Sequence, residues 1–182
     1  MLLLLSVVAS AQITSSRQYI PIDLDIKVKR CVVSGSQGYI DLVFTNHTGK
    51  LISDVVVMRK EPCAGVLEND ETIVYDDEGD VFRPTYQGGI SWITFGGGDG
   101  LNDGTKLPVD VPVKMRIELQ GISEFATEIS MLNIALRGIS SYHYGIGSVT
   151  FRNIPIYVVE TEWKKFISHS IYGNTKEIRY IH

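Results

Sequence analysis

A surplus of positive charge is the first thing this chain lacks. Its 182 residues carry 17 Lys and Arg against 21 Asp and Glu, a formal net charge of -4 with a pI near 5.5. Engaging a phosphate backbone takes cations in excess, so nucleic acid is not an expected partner, and an anionic membrane surface is disfavoured on the same ground. Cysteine is scarce as well: Cys31 and Cys63 alone exclude a framework of several disulfides. The apolar stretch at the start, Met1 to Ala11, is too short to span a bilayer as a helix. Reaction motifs are missing too. No serine sits in G-x-S-x-G, where a strained turn would present a nucleophile, and there is no H-E-x-x-H. His47, His143, His169 and His182 are too scattered to read as metal ligands. No long amphipathic helix is visible, and no cofactor is expected.

What is present fits one globular domain. Hydrophobic residues make up 44% and charged residues 21%, ordinary values that speak against disorder, and the length suffices to bury a core without metal or multiple disulfides. Met1 to Ala11 reads as a signal peptide, with Ala9-Ser10-Ala11 as a small-x-small cleavage site and Gln12 as the first mature residue. The leader has no basic residue at its start, so either translation begins upstream or the signal is weak; a buried strand or an uncut anchor are the other readings. No cysteine follows the cleavage site, so a lipoprotein anchor is not indicated. The expectation is export to the periplasm, the cell surface or the medium, without stable membrane insertion after cleavage. In such a compartment Cys31 and Cys63 are a candidate disulfide, against two thiols that never meet. The apolar phase of the strand before Cys31 falls on even positions, which puts Cys31 on the polar face, within reach of a loop carrying Cys63.

Period-two alternation dominates the rest. Ile22, Leu24, Ile26 and Val28 alternate with Asp23, Asp25, Lys27 and Lys29, and Val113, Met115, Ile117 and Leu119 alternate with Lys114, Arg116 and Glu118. Each pattern predicts a strand with one face in a core and one in water. Further strands are expected at Tyr39–Asn46, Leu51–Met58, Thr72–Tyr75 with Val81–Phe82 across an acidic turn, Ile90–Phe95, Ile129–Leu136 and Ser148–Ile156. Gly121 to Thr127 has room for one helical turn, and the glycine-rich stretch Gly96 to Gly104 predicts a mobile surface loop. About eight or nine short strands with turn chemistry between them predict an all-β, antiparallel sandwich or barrel, covering residues 12–158. The extension 159–182 breaks the pattern. Trp163, Phe166 and Ile167 fit one face of a short helix, and Ile178 to Ile181 fit a final strand.

The succession of an alternating first strand, Leu42-Val43-Phe44-Thr45-Asn46, Asp76-Asp77-Glu78-Gly79, Leu107-Pro108 leading into Val113–Leu119, and Phe151-Arg152-Asn153-Ile154-Pro155-Ile156 resembles small exported immunoglobulin-like domains of uncharacterised bacterial proteins. The resemblance runs from Ile22 to Val158. It implies an immunoglobulin-like antiparallel β-sandwich outside the cytoplasm and no catalytic residues.

Several side-chain groups invite a chemical reading beside a plainer one. Asp76, Asp77, Glu78 and Asp80 gather oxygen ligands suited to calcium, but the run is first of all a hairpin turn whose acids account for it, and the EF-hand spacing is absent. Gly97-Gly98-Asp99-Gly100-Leu101-Asn102 partly mimics a calcium-binding nonapeptide, with Asn102 where an acid belongs and no second copy to stack on. Asn46-His47-Thr48 is a glycosylation sequon, or else an Asn that ends a strand and caps a turn. Tyr86, Trp92, Tyr142 and Tyr144 could stack on sugar rings, with His143 beside them, although Trp92 at mid-strand is expected in the core. The leading expectation is a non-enzymatic binding or structural module that engages a protein or a surface glycan through loops or a sheet edge. The alternative is a glycan hydrolase using paired carboxylates from among Glu118, Glu124 and Asp110.

Overall fold

The computed structural model describes residues 13–59, 71–84, 89–139 and 145–159, and the backbone of 164–167 and 178–181. The strands, in chain order, are β1 Thr14–Gln18, β2 Leu24–Ser34, β3 Gln37–Asn46, β4 Ile52–Val57, β5 Ile73–Asp76, β6 Val81–Phe82, β7 Ile90–Phe95, β8 Gly98–Asp99, β9 Thr105–Leu107, β10 Val113–Gln120, β11 Glu128–Arg137, β12 Ile146–Val158, β13 Lys164–Ile167 and β14 Ile178–Ile181. The protein is all-β, with no α-helix among the described residues. None of them forms a helix long and apolar enough to cross a membrane.

Twelve strands form one curled, mixed sheet in the order β6-β5-β11-β12-β2-β3-β10-β7-β8; β1 pairs with β12, and β4 joins β11 to β9. Alternation builds it as the side chains dictate. In β3 and β10 buried residues are interleaved with partly or fully exposed ones, and Leu42, Phe44, Met115 and Ile117 point inward. β12 holds the curl together. Its residues up to Pro155 pair antiparallel with β11, and Ile156–Val158 then pair in parallel with Cys31–Val33 of β2. The switch occurs beside Asn153, whose φ of 58° is left-handed, and Ile156 N–H reaches back to the Thr127 carbonyl. Because one strand serves both halves, their inner faces share one core: Ile26, Phe44, Ile117 and Phe151 lie in the same cluster. The Phe44 and Phe95 rings meet there at a centroid distance of 4.8 Å.

Several sequence expectations are corrected. The sheet is not wholly antiparallel, because β12 and β2 run in parallel. There are more strands than the eight or nine expected, because β8 and β9 are two or three residues long and β1 is a polar segment whose exposed side chains give no alternation, whereas Val81–Phe82 pairs across the acidic turn as expected. Ile22 is 90% exposed and precedes the strand, which starts after Leu24 N–H closes a turn on the Pro21 carbonyl. Gly121–Thr127, with room for one helical turn, holds a single hydrogen-bonded turn at Ser123–Ala126. The glycine stretch after Phe95 is folded against β7: β8 pairs with Thr94 and Phe95, and Gly100 N–H donates to the Ile93 carbonyl. In the extension, β13 and β14 pair as an antiparallel hairpin, so the final strand at Ile178–Ile181 is present and Lys164–Ile167 is extended, not helical.

Cys31 departs furthest from expectation. The pairing of β2 with β3 shifts between Val28 and Arg30, and Lys29 is the extra residue of a bulge. A one-residue slip sends every later side chain to the opposite face. Cys31 therefore points into the core, fully buried, and it is a free thiol; Cys63 lies outside the described residues. Burial, helped by the nearby Asp41 charge, pushes the Cys31 thiol up to about 12.

A second irregularity explains two glycines. β4 bulges between Ile52 and Val55, and Asp54 there has a φ of 58°. The chain passes so close that a Cβ on Gly138 would lie 2.6 Å from the Asp54 carbonyl oxygen, and one on Gly104 would lie 2.9 Å from the Asp54 Cα. Gly138 also has a φ of 84°. Gly138→Ala is expected to lower the urea-unfolding free energy by roughly 2–4 kcal/mol, combining backbone strain with a steric clash. Gly49→Ala, with a positive φ but open space around it, is expected to cost about 1 kcal/mol. Equal losses in the two variants would show that the approach to Asp54 is not tight. For Cys31, the native Cys63→Ser variant is expected to give no reaction with Ellman's reagent until it is denatured. The denatured, unreduced parent is expected to titrate two thiols, and a count of zero would mean that the cysteines are bridged.

Candidate functional site

The outer face of β2, β3, β10 and β7 carries the densest arrangement of ionic side chains that line a cleft. Register alone sets its rows: Arg30 stands opposite Asp41, Asp41 opposite Arg116, and Arg116 opposite Thr94. The bulge at Lys29 is what brings Arg30 into line, because without the extra residue it would face the core. Asp41, on the middle strand, receives both guanidiniums. Arg116 donates through Nε to Oδ1 at 2.7 Å and through Nη2 to Oδ2 at 3.0 Å, and Arg30 donates through Nε to Oδ2 at 2.7 Å. The Arg116 guanidinium also lies 5.3 Å from the centre of the Tyr39 ring, a cation–π contact that restrains it from the other side.

This arrangement has a clear electrostatic result. The bidentate Arg116, with Arg30 behind it, holds the Asp41 carboxyl below its usual range against the upward pull of burial, and Asp41 in turn raises Arg116. Asp41 is therefore a fixed anion whose work is to hold two cations in place. Around it opens a cleft of about 630 Å³ lined by Lys29, Arg30, Lys114 and Arg116 together with Asp41 and Glu118. Lys29 and Lys114 have no ion-pair partner among the described residues, whereas Lys27 on the same strand is paired with Asp25.

A second bulge shapes the neighbouring row. β7 pairs with β10 through Trp92 and Glu118 and then Ile90 and Leu119, leaving Ser91 as the extra residue. Ser91 and Trp92 both turn outward, and Trp92 is 47% exposed, not in the core as its mid-strand position suggested. Trp92 borders a second recess of about 420 Å³ with Arg59, Ser91, Asp99, Asn102 and Gln120. In register, the Trp92 row continues through Glu118, Tyr39 and Val32 to Tyr157, which is also exposed.

The other sequence candidates are dispersed. Glu118 lines the cleft, but Asp110 lies beside the His47 ring, 2.6 Å from Nδ1, and Glu124 is exposed on the turn after β10. Asp76 and Asp77 serve the turn between β5 and β6. Asp76 Oδ1 accepts from the Glu78 and Asp80 N–H groups, and Asp77 accepts from the Thr127 N–H and hydroxyl. Burial tends to raise Asp77, but those hydrogen bonds outweigh it and hold the carboxyl low. Asp99 is likewise engaged by its own loop, through Leu101 N–H and the Asn102 amide. Among the described residues no three His, Cys, Asp or Glu side chains group as metal ligands. Asn46 of the sequon is buried: its amide donates to the Lys50 and Leu107 carbonyls while its Oδ1 accepts from Thr48, which is the capping role. Tyr86, Tyr142, His143 and Tyr144 lie outside the described residues.

Asp41→Asn tests the fork. A carboxyl lowered on folding stabilises the protein above its unfolded pKa of about 3.9, and that contribution is lost as pH falls through the folded value. The variant is expected to be less stable than the parent by about 1 kcal/mol at neutral pH, since both arginines are partly exposed. In urea titrations the gap should close progressively below about pH 4. A gap independent of pH down to strongly acid solution would remove the ionic account. Compared with known proteins, the chain matches no family model, no curated sequence and no solved structure, so the chemistry of this face carries the functional reading.

Proposed function

We propose that the protein is an exported, non-enzymatic binding module of immunoglobulin-like sandwich type that engages a protein or surface glycan, and that it does so through the outer face of β2, β3, β10 and β7. The leading observation is the cleft around Asp41, where two lysines with no ion-pair partner among the described residues flank two arginines already held in position. Ordering long cationic side chains normally costs entropy on binding, and a prearranged fork avoids part of that cost. The shared core between inward faces of many short strands supports the sandwich reading. Export rests on the leader Met1–Ala11.

The carboxylates at this face favour binding over hydrolysis. A glycosidase needs one carboxyl group kept protonated as general acid, close to a second carboxylate. Asp41, the carboxylate nearest the centre of the cleft, is instead held ionised by two guanidiniums. Glu118 shares the cleft with Asp41, and Glu124 and Asp110 do not line it.

The test is a glycan array read with the purified protein and with Lys29→Ala/Lys114→Ala, alongside an assay for new reducing ends on every glycan bound. Binding that falls by about tenfold or more in the variant, with no reducing ends released, is the expected result. Release of reducing ends would replace the binding module with a hydrolase, and binding unchanged in the variant would move the site elsewhere.

A further inference from the structure

We propose that the occupant of this face is an acidic polysaccharide, its anionic groups held by Lys29, Arg30, Lys114 and Arg116 and a sugar ring stacked on Trp92. The inference rests on the reading of this face as the binding site and adds the chemistry of the ligand.

Charge complementarity is the first ground. The cleft has four cationic and two anionic side chains, a local excess of two positive charges in a chain whose net charge is -4. Asp41 takes up Arg30 Nε and Arg116 Nε and Nη2, and both terminal nitrogens of Arg30 and Nη1 of Arg116 have no hydrogen-bond partner among the described residues. A carboxylate or sulfate ester placed there would receive charge-assisted hydrogen bonds from donors that need little reordering.

The second ground is the ring beside the charges. Trp92 faces outward in alternation with buried Ile93 and Phe95, next to the Ser91 bulge, and stands directly across from Glu118, which lines the basic cleft. It also borders the recess lined by Ser91 and Gln120, where the Gln120 amide and the accepting lone pair of the Ser91 hydroxyl suit sugar hydroxyls, while the Asn102 amide there is already held between Arg59 and Asp99. A chain crossing β10 and β7 would pass from the cationic cleft over Trp92 into that polar recess. Exposed Tyr157 lies in the same row at the opposite side, four strand spacings or about 19 Å from Trp92.

The third ground separates classes of partner. Protein interfaces concentrate apolar and aromatic groups at their centre and deplete charge there. This face is the reverse, with Arg30, Asp41 and Arg116 at its centre and its exposed aromatics, Trp92 and Tyr157, at its sides. A hydrated, charged polymer fits that pattern better than a protein does. A nucleic acid is the competing polyanion, and the recess beside Trp92, with hydrogen-bonding groups suited to sugar hydroxyls, favours the polysaccharide.

The experiment is calorimetric titration with four probes: polygalacturonate, which offers carboxylates; chondroitin sulfate, which offers sulfate esters as well; neutral dextran; and single-stranded DNA. At least one acidic polysaccharide is expected to bind, with an affinity that falls markedly between about 0.05 M and about 0.5 M salt. Preference between the first two identifies the anionic group. Lys29→Ala/Lys114→Ala is expected to lose about tenfold or more, and Lys29→Arg/Lys114→Arg to retain most of the affinity. Trp92→Ala is expected to weaken binding about fivefold or more while keeping the salt dependence. Thermal melts of each variant establish that it is folded. Equal or tighter binding of dextran through the same face, lost in Trp92→Ala, would overturn the acidic ligand while leaving the binding module intact. Tighter binding of DNA would overturn the assignment in favour of phosphate. Failure of every polysaccharide probe would also overturn it, and acidic binding unaffected by the Lys29 and Lys114 substitutions would remove both the ligand and the site.

Discussion

The Asp41 carboxylate is the interaction that organises the outer face of this protein. It sits on β3, between β2 and β10, and takes guanidinium hydrogen bonds from both neighbours. That places two arginines side by side where electrostatics alone would separate them. Lys29 and Lys114 complete a cationic surround, and the cost of gathering four like charges is met in part by one anion held below its usual pKa. The shape of the cleft, its charge and its readiness for an anionic ligand all depend on Asp41 remaining ionised between its two partners.

Backbone irregularity sets which side chains reach that face. The bulge at Lys29 turns Arg30 outward and Cys31 inward in one step, so the same extra residue builds the cleft and seals the thiol in the core. The bulge at Ser91 returns Ile90 to the core and leaves Ser91 outside next to Trp92. Beneath both, β12 ties the two halves of the sheet together by pairing with β11 and then with β2, and the shared core of Ile26, Phe44, Ile117 and Phe151 follows from that crossing. Bulges near binding sites commonly re-aim side chains, and here two of them act on one surface.

Much of the architecture was legible in the alternation of side chains. Phe44, Met115 and Ile117 are inward because period two leaves them no other face, and the all-β class follows from a chain of such segments. The capping role of Asn46 and the turn role of Asp76 and Asp77 were also readable, since Asx residues beside turns satisfy backbone N–H groups. The bulges were not. Nothing in Lys27-Val28-Lys29-Arg30-Cys31 marks the extra residue, so the phase after Val28 was carried forward and Cys31 was placed on the wrong face. The site escaped for a related reason. Asp41 and Arg116 each read as a solvated residue of an alternating strand while Arg30 fell on the apolar phase, and the convergence of the three exists only once three strands are in register. The parallel join of β12 to β2 was hidden likewise, because a three-residue pairing leaves no periodic trace.

The central claim is that this charged outer face, and not a loop cluster or a sheet edge, meets the ligand. Backbone amide shifts recorded by NMR during titration with oligogalacturonate test it most directly. The account requires perturbations centred on Lys29, Arg30, Asp41, Trp92, Lys114 and Arg116, which line or border the two adjoining recesses. Perturbations gathered instead at β1, at the Asp76–Asp80 turn or at the His47–Asp110 pair, with the face around Asp41 unmoved, would contradict it.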